Sequence, residues 1–447
     1  MKPLFCRKED GQVLILVALV LVGVLLFTSL AIDGGMIYSD RRIAQNAADS
    51  AALAGAGEAS QIIKTKTAWN CADFSTGTSA WTNIANTAVA SALSNDFSIE
   101  TDLGNKNGVE ITCSSDPNFL DVKVIISKKV ETSLIHMVYP SDVVNTVVAV
   151  SRVRPPAYFA AGMAIVALGE ECTSNGKKSD GGITFTGDAD TIVTMGGAYS
   201  NACVDIKGTA GSVQISNGIG YLTNWKEAGK KTIVPPNAKY KGTAPIQIDD
   251  SSLIVNCPAG KAVDVSVNNG TQTISPGNFK DITVHNKGTL KMEPGLYCIS
   301  GTVSLSGTVT GTGVTLYMPD TAGSFSTAGD AQVKVTAPPQ SCHSAGGPTF
   351  PGCPPSIGGM LIYYLPGPDT GCPSCSLALR GNASSVYTGT VYAPNSTVEV
   401  GGNDSAISEV GAQVLARTVF IHGTSALTIK YDKDLVYKDD MKLWLNQ

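Results

Sequence analysis

At 447 residues the chain is too long for one ordinary core and calls for two or three domains. Only 15% of its residues are charged and 6% aromatic, while 43% are apolar and 47 are Gly. That balance favours folded structure made of many short strands over disorder or long surface helices. The formal net charge of −5, with no basic block and no basic-aromatic interleaving, excludes nucleic acid as an expected partner.

From Val13 to Ile32 no residue is charged. As a helix this run rises about 30 Å, the thickness of a bilayer's hydrocarbon core. Lys2, Arg7 and Lys8 precede it, as expected for a cytoplasmic N-terminus, and Glu9 and Asp10 offset part of that charge. A cleaved signal peptide is the rival reading, because Ser29-Leu30-Ala31 offers a small-x-small site. The run nevertheless exceeds the roughly 7–15 apolar residues of a signal-peptide core. A buried core helix is rarely apolar all round over this length. Residues 1–35 are therefore expected to be a cytoplasmic tip and a retained transmembrane anchor bounded by Val13 and Ile32. The bulk of the chain is then periplasmic or extracellular, in a single-pass protein of the cell envelope.

Ten of the eleven cysteines follow the apolar run: Cys71, Cys113, Cys172, Cys203, Cys257, Cys298, Cys342, Cys353, Cys372 and Cys375. Cys6 precedes it. An even number on the exported side predicts up to five disulfides, mostly between near neighbours in this order.

Residues 36–156 read as a small α+β domain. Its first helix places Ala44, Ala48, Ala51 and Gly55 near one face at i, i+4, i+7 and i+11. Such a small-residue stripe admits close approach of another helix, in the same domain or a partner, or simply reflects the helix propensity of alanine. A second helix is predicted near Trp81–Leu93. Strands follow at Val109–Ile111, Leu120–Val124, Val130–Val138 and Thr146–Val153, and Pro155-Pro156 closes the domain.

Beyond residue 156 short strands alternate with Gly, Asn and Ser. Thr397–Gly402 and Thr418–Gly423 repeat at 21 residues, and Gly389–Ala393 and Gly411–Leu415 at 22. Recurrence at this period predicts an all-β right-handed parallel β-helix over 157–432, with a β-sandwich as the alternative fold. About ten coils at roughly 4.8 Å would form a rod on the order of 50 Å long. Trp225–Ile246, Lys-rich with Pro235-Pro236, reads as a long loop or lid. Residues 338–373 read as a Pro/Cys-rich insertion, and 433–447 as a C-terminal cap.

Residues 11–56, GQVLILVALVLVGVLLFTSLAIDGGMIYSDRRIAQNAADSAALAGA, resemble the N-terminus of TadG-like and TadE-like proteins of Tad (Flp) pilus assembly. The shared points are Gly11, Asp33-Gly34-Gly35, Arg41-Arg42, and Gln45-Asn46-Ala47-Ala48-Asp49 followed by alanines. The stretches GLYCISGTVSLSGTVTGTGVTLYM and TGTVYAPNSTVEVGGN resemble, more loosely, the β-rich C-terminal region of longer members. The resemblance implies a role in building or anchoring a surface fibre or linking it to the envelope, with pilus-assembly or pilin-like proteins as partners. Pilins carry a Glu at the fifth position after their cleavage site; Leu16 stands there, and no Glu occurs from Gln12 to Ile32. This departure argues against prepilin processing and against a major fibre subunit.

No catalytic constellation stands out. His136, His285, His343 and His422 form no short metal-ligand pair. Cys342, His343, Cys353, Cys372 and Cys375 are the best metal candidates, but irregular spacing in an oxidising compartment favours disulfides. Gly187-Asp188-Ala189-Asp190 offers oxygen ligands for calcium, or turn residues between strands. Asp249-Asp250 and Asp439-Asp440 read as solvated. Acid-poor coils, with only Glu399, Asp404 and Glu409 along Thr388–Ala426, argue against glycoside chemistry. The expectation is a non-enzymatic chain without cofactor or metal. The alternatives are an envelope adhesin or binding solenoid contacting a surface glycan or host, and a polysaccharide-active β-helix enzyme.

Overall fold

The computed structural model describes residues 12–66, 69–103, 107–115, 118–130, 132, 141–156, 159–172, 182–250, 253–342, 355–368, 372, 375–382, 384–402, 408–423, 426–439 and 441–446. The chain forms two compact units, one of residues 1–156 with 440–447 and one of 157–439.

The first unit is organised by α1 (Gln12–Lys64), a single helix of 53 residues. Its C-terminal part and α2 (Ser79–Ser94) lie on one face of a sheet of β1 (Gly108–Ser115), β2 (Asn118–Val130), β3 (Val143–Arg154) and a last strand Lys442–Leu445. All neighbours are antiparallel. Period-2 alternation in β2 turns Leu120, Val122, Val124 and Ile126 toward the helices, where all four are buried. The opposite face carries ion pairs, Lys123–Glu110 at 2.9 Å and Arg152–Asp121 at 2.7 Å. Thr78 caps α2 by accepting from the Trp81 N–H at 3.2 Å. The expected strand Val130–Val138 falls mostly outside the described residues.

The second unit is a parallel β-solenoid of about ten turns, its strands joined in one sheet of 23. The 21-residue period is a pairing register: Thr418 lies on Thr397, and Val398 on Leu377. Alternate residues point inward, so Val398, Val400, Val419 and Ile421 stack in the core with Ile183 and Phe185.

The order of stacking differs from the order of the chain. The chain enters at Ile165–Ala167 and coils through Ala198–Ser200 and Ile219–Tyr221 to Lys239–Lys241. Residues 242–250 and 253–262 lie between the two arms, and coiling resumes at the far end at Val263–Ile274. It returns through successive coils to Ser408–Gly423, which pairs with Ile165–Ala167 and Gly182–Phe185. The first and last coils therefore meet at a seam within the stack, and neither end of the solenoid is a chain end. Both arms advance in one axial direction, as in a single continuous solenoid whose connection has been moved.

Two local expectations are corrected here. Trp225–Ile246 is not a lid: Asn224–Gly229, Thr232–Val234 and Lys239–Lys241 are strands of the terminal coil. Its lysines and prolines suit a coil with a neighbour on only one side, where an unguarded edge would invite further pairing. Trp225, Tyr221 and Ile233 pack on the core at that end and close it. The C-terminal tail does not end as the solenoid's cap either. Residues up to 439 stay with the solenoid, and Lys442–Leu445 becomes the edge strand of the small sheet, pairing with Ser151–Arg154.

The turns carry a repeated carboxylate device. Asp188 Oδ1 accepts from the backbone N–H and the hydroxyl of Thr209, Asp190 Oδ1 from those of Ser212, and Asp281 Oδ1 from those of Thr302. Each bridges one coil to the next. The Thr302 N–H and hydroxyl hold the Asp281 carboxyl below the ordinary carboxylate range, and the Thr209 hydroxyl and N–H do the same for Asp188. A depressed carboxyl stabilises the fold above its unfolded pKa, and that contribution disappears as pH falls through the lower folded value. The solenoid's melting temperature should therefore drop below about pH 4. An Asp281→Asn variant should show a shallower drop when thermal melts are followed by circular dichroism from neutral to acidic pH; an unchanged slope would remove Asp281 from this role.

Candidate membrane anchor and helix interface

The apolar run and the small-residue stripe lie on the same helix but meet opposite surroundings. From Val13 to Ile32 the large apolar side chains are exposed; Leu14 is 75% and Phe27 77% exposed. Twelve residues beyond Ile32 the pattern inverts: Ala44, Ala48 and Ala51 are at most 1% exposed, and Gly55 is also buried. Nothing in the described chain covers the first segment, and hydration of such a surface is strongly unfavourable. It is a candidate membrane span by length and composition.

The stripe packs within its own unit. A Cβ added at Gly55 would stand 2.9 Å from Val122 Cγ1, 3.2 Å from Ala88 Cβ and 3.4 Å from Ile84 O. Gly55 thus marks a close approach of α1 to α2 and β2, and Ala44, Ala48 and Ala51 share that core. The question the stripe posed, whether its partner was internal or external, is answered by α2 and the sheet. Ser50 and Ser91 add a hydrogen bond between the two helices at 3.2 Å. Gln45 Nε2 donates to Asp49 Oδ1 at 2.8 Å and to Val148 O at 3.2 Å, and Asn145 Nδ2 donates to Ile37 O at 3.0 Å. These bonds tie α1 to β3 above the anchor.

The cysteines pair between neighbours. Cys71–Cys113 joins the turn before α2 to β1, Cys172–Cys203 and Cys257–Cys298 lie in the solenoid unit, and Cys372–Cys375 closes a loop there. Cys342 is disulfide-bonded as well. Cys353, Cys6, His343 and His136 lie outside the described residues. Disulfide-bonded Cys342, Cys372 and Cys375 offer no thiolates for zinc. Among the described residues no group of three or more His, Cys, Asp or Glu side chains is placed to hold a metal ion.

At the calcium candidate the structure places a cation of the chain's own. Lys231 is 6% exposed, and its ammonium donates to the carbonyl oxygens of Gly187 and Ala189. Burial pushes its pKa down, opposed by the nearby charges of Asp190 and Asp188.

Two arrangements were not read from the sequence. On stacked coils, Arg380 Nη2 meets Glu399 Oε2 at 2.7 Å, and His422 Nε2 lies 3.8 Å from the same oxygen. Glu399 is 5% exposed at an outward strand position. The spacing of 21 between Ala378 and Glu399 contained the register, but not the reach of Arg380 across it. The second is the strap formed by the crossover 242–262. Tyr199 donates to Ala244 O at 2.6 Å, Asn201 exchanges bonds with Ile246 N and O at 2.8 Å, and Tyr392 donates to Asp250 Oδ2 at 2.8 Å. Asp250, expected to be solvated, is thus a pinning point. Burial, and then that carboxylate, raise the Tyr392 hydroxyl's pKa.

The segment that carries both features is also the one that compares with known proteins. Residues 11–58 match the family Tad, described as "Putative Flp pilus-assembly TadE/G-like". The matched Tad segment coincides with α1 almost end to end, from the start of the anchor to the residues just past Gly55. Comparison with curated proteins and with solved structures gives no match. Among the described residues the chain therefore carries one candidate membrane span, within a segment that matches Tad, a Tad-associated arrangement followed by a β-solenoid.

Proposed function

We propose that this chain is a non-catalytic, membrane-anchored component of Tad-type pilus assembly, with its N-terminus cytoplasmic and both folded units outside. The observation that carries the reading is that the Tad match falls on the helix running without a break from the apolar anchor into a folded unit. The absence of Glu at Leu16 favours a retained anchor over a processed major subunit. Carboxylates of the coils support a structural role: Asp188, Asp190 and Asp281 bridge coils, and Glu399 is paired with Arg380. The solenoid offers a long rigid surface for structure or contact with assembly proteins or a surface glycan.

Full-length protein is expected to stay with membranes through alkaline carbonate washing; a mature soluble form beginning at Ile32 would overturn the anchor. Deleting the gene should reduce surface pili or attachment without removing the pilin subunit. An internal deletion of 157–439 that joins Pro156 to Asp440 should give the same loss while keeping the small unit's edge strand, which truncation from 157 onward would remove. Normal fibres and attachment in both strains would refute the pilus reading and favour an envelope adhesin.

A further inference from the structure

We propose that Met36, Tyr38, Arg41 and Arg42 of α1, with Lys129 and Val144 of the sheet, form a collar that rests in the phospholipid headgroup layer of the bilayer holding the anchor. The proposal builds on the membrane reading above and adds a second contact to it.

The height of each residue follows from helix geometry. With Ile32 at the hydrocarbon boundary, Met36, Tyr38 and Arg41 lie about 6, 9 and 14 Å beyond it along α1. The headgroup layer occupies roughly the first 5–8 Å on each side. Helical side chains lean toward the N-terminus, which here means back toward the bilayer. An arginine at this height therefore reaches down to phosphate level, with its planar fork matched to phosphate oxygens. Tyrosine at this depth has the amphipathic ring that favours a membrane–water boundary.

Exposure fits this placement. Met36 is 40% and Tyr38 65% exposed, and Arg41 and Arg42 are both exposed, although α1 is already tied to β3 at this level. The tie brings the sheet to the same height. Asn145 bonds Ile37 and Gln45 bonds Val148, so β3 starts beside Ile37 and rises with the helix. Val144, next to Asn145, is 56% exposed, and its register partner Lys129 has a side chain 58% exposed. Against the three cations stand Asp33, buried beside Ile32, Asp40, partly buried on the same helical turn as the arginines, and Asp142, paired with Lys129 at 2.6 Å. The two arginines are the part of the collar left to meet phosphate, and the exposed Met36, Tyr38 and Val144 supply its apolar rim.

The test uses the full chain in nanodiscs of phosphatidylcholine with phosphatidylglycerol, in a Cys6→Ser background. Nitroxide labels are placed by Tyr38→Cys, Val144→Cys, Val20→Cys and Gln61→Cys. Tyr38 and Val144 are exposed, so labels there leave the fold intact. Collision with a water-soluble nickel chelate should be lowest at position 20. At 38 and 144 it should be less than half that at 61, and in the Arg41→Gln/Arg42→Gln background the label at 38 should become more accessible. Labels at 38 and 144 as accessible as at 61, with 20 protected, would overturn the collar and leave the anchor standing. Accessibility at 20 equal to that at 61 would overturn the anchor, and the collar with it.

Discussion

Leucine at Gly55 or Ala51 is expected to destabilise the small α+β unit markedly. Both positions lie where α1 crosses α2 and β2, and the added Cβ at Gly55 alone would press on Val122 and Ala88. A leucine adds three further carbons to a site without room for the first. Overpacking of this kind costs about 1–3 kcal/mol and sometimes more. A domain of this size holds on the order of 5–15 kcal/mol in total. Gly55→Ala should be milder, since it adds one carbon where leucine adds four, although Val122 must still shift to admit it. The measurement is protease resistance of the membrane-bound protein together with its thermal midpoint. Cleavage within residues 69–130 should appear at lower protease doses in Gly55→Leu and Ala51→Leu than in wild type, with Ala48→Leu behaving alike. If all three variants resist proteolysis and melt as the wild type does, α1 does not pack as described.

The second large effect is expected at Cys257–Cys298. This bridge closes 41 residues of separation and fastens the distal end of the strap to the far arm of the solenoid. The loop-closure model assigns such a cross-link about 4 kcal/mol, toward the upper end of the usual range of roughly 2–4. The strap is also held by hydrogen bonds from Tyr199, Asn201, Tyr392 and Asn278 and by the packing of Leu253 against the aromatic cluster of Tyr363 and Tyr392. With both cysteines changed to serine, the strap should become the first site of limited proteolysis, within 242–262, and the solenoid's melting temperature should fall. Cys372→Ser with Cys375→Ser, whose loop spans only 3 residues, should lower it much less. Equal effects from the two pairs would show that the strap's closure is not what the long bridge supplies.

The N-terminal helix was legible because its chemistry is one-dimensional. Twenty residues without charge require an apolar surrounding wherever the rest of the chain goes, and the small residues of the stripe admit a close neighbour. The solenoid was legible through its period, because stacking coils of equal length brings residue i onto residue i+21, as Thr397 on Thr418 shows. The even number of cysteines beyond the apolar run led to an expectation of disulfides, mostly between near neighbours, and Cys71–Cys113, Cys172–Cys203, Cys257–Cys298 and Cys372–Cys375 are pairs of this kind. What composition and period did not reveal was which coil stacks on which. Parallel strand pairing is satisfied equally by a coil next in sequence and by one far away, so the seam of Val414 on Ile165 leaves no local mark. For the same reason the Lys-rich stretch at Trp225 read as a loop. An end coil has one neighbour instead of two, and its exposed positions admit lysines that an internal coil would exclude. The destination of Lys442–Leu445 was likewise a tertiary matter. Its sequence suits a cap, while the unfilled edge of β3 that accepts it exists only once the sheet has folded. Sequence alone determined the anchor, the stripe and the repeat, because each is a property of consecutive residues. The seam, the strap and the shared edge strand join residues that are distant in the chain, and only the tertiary structure could decide them.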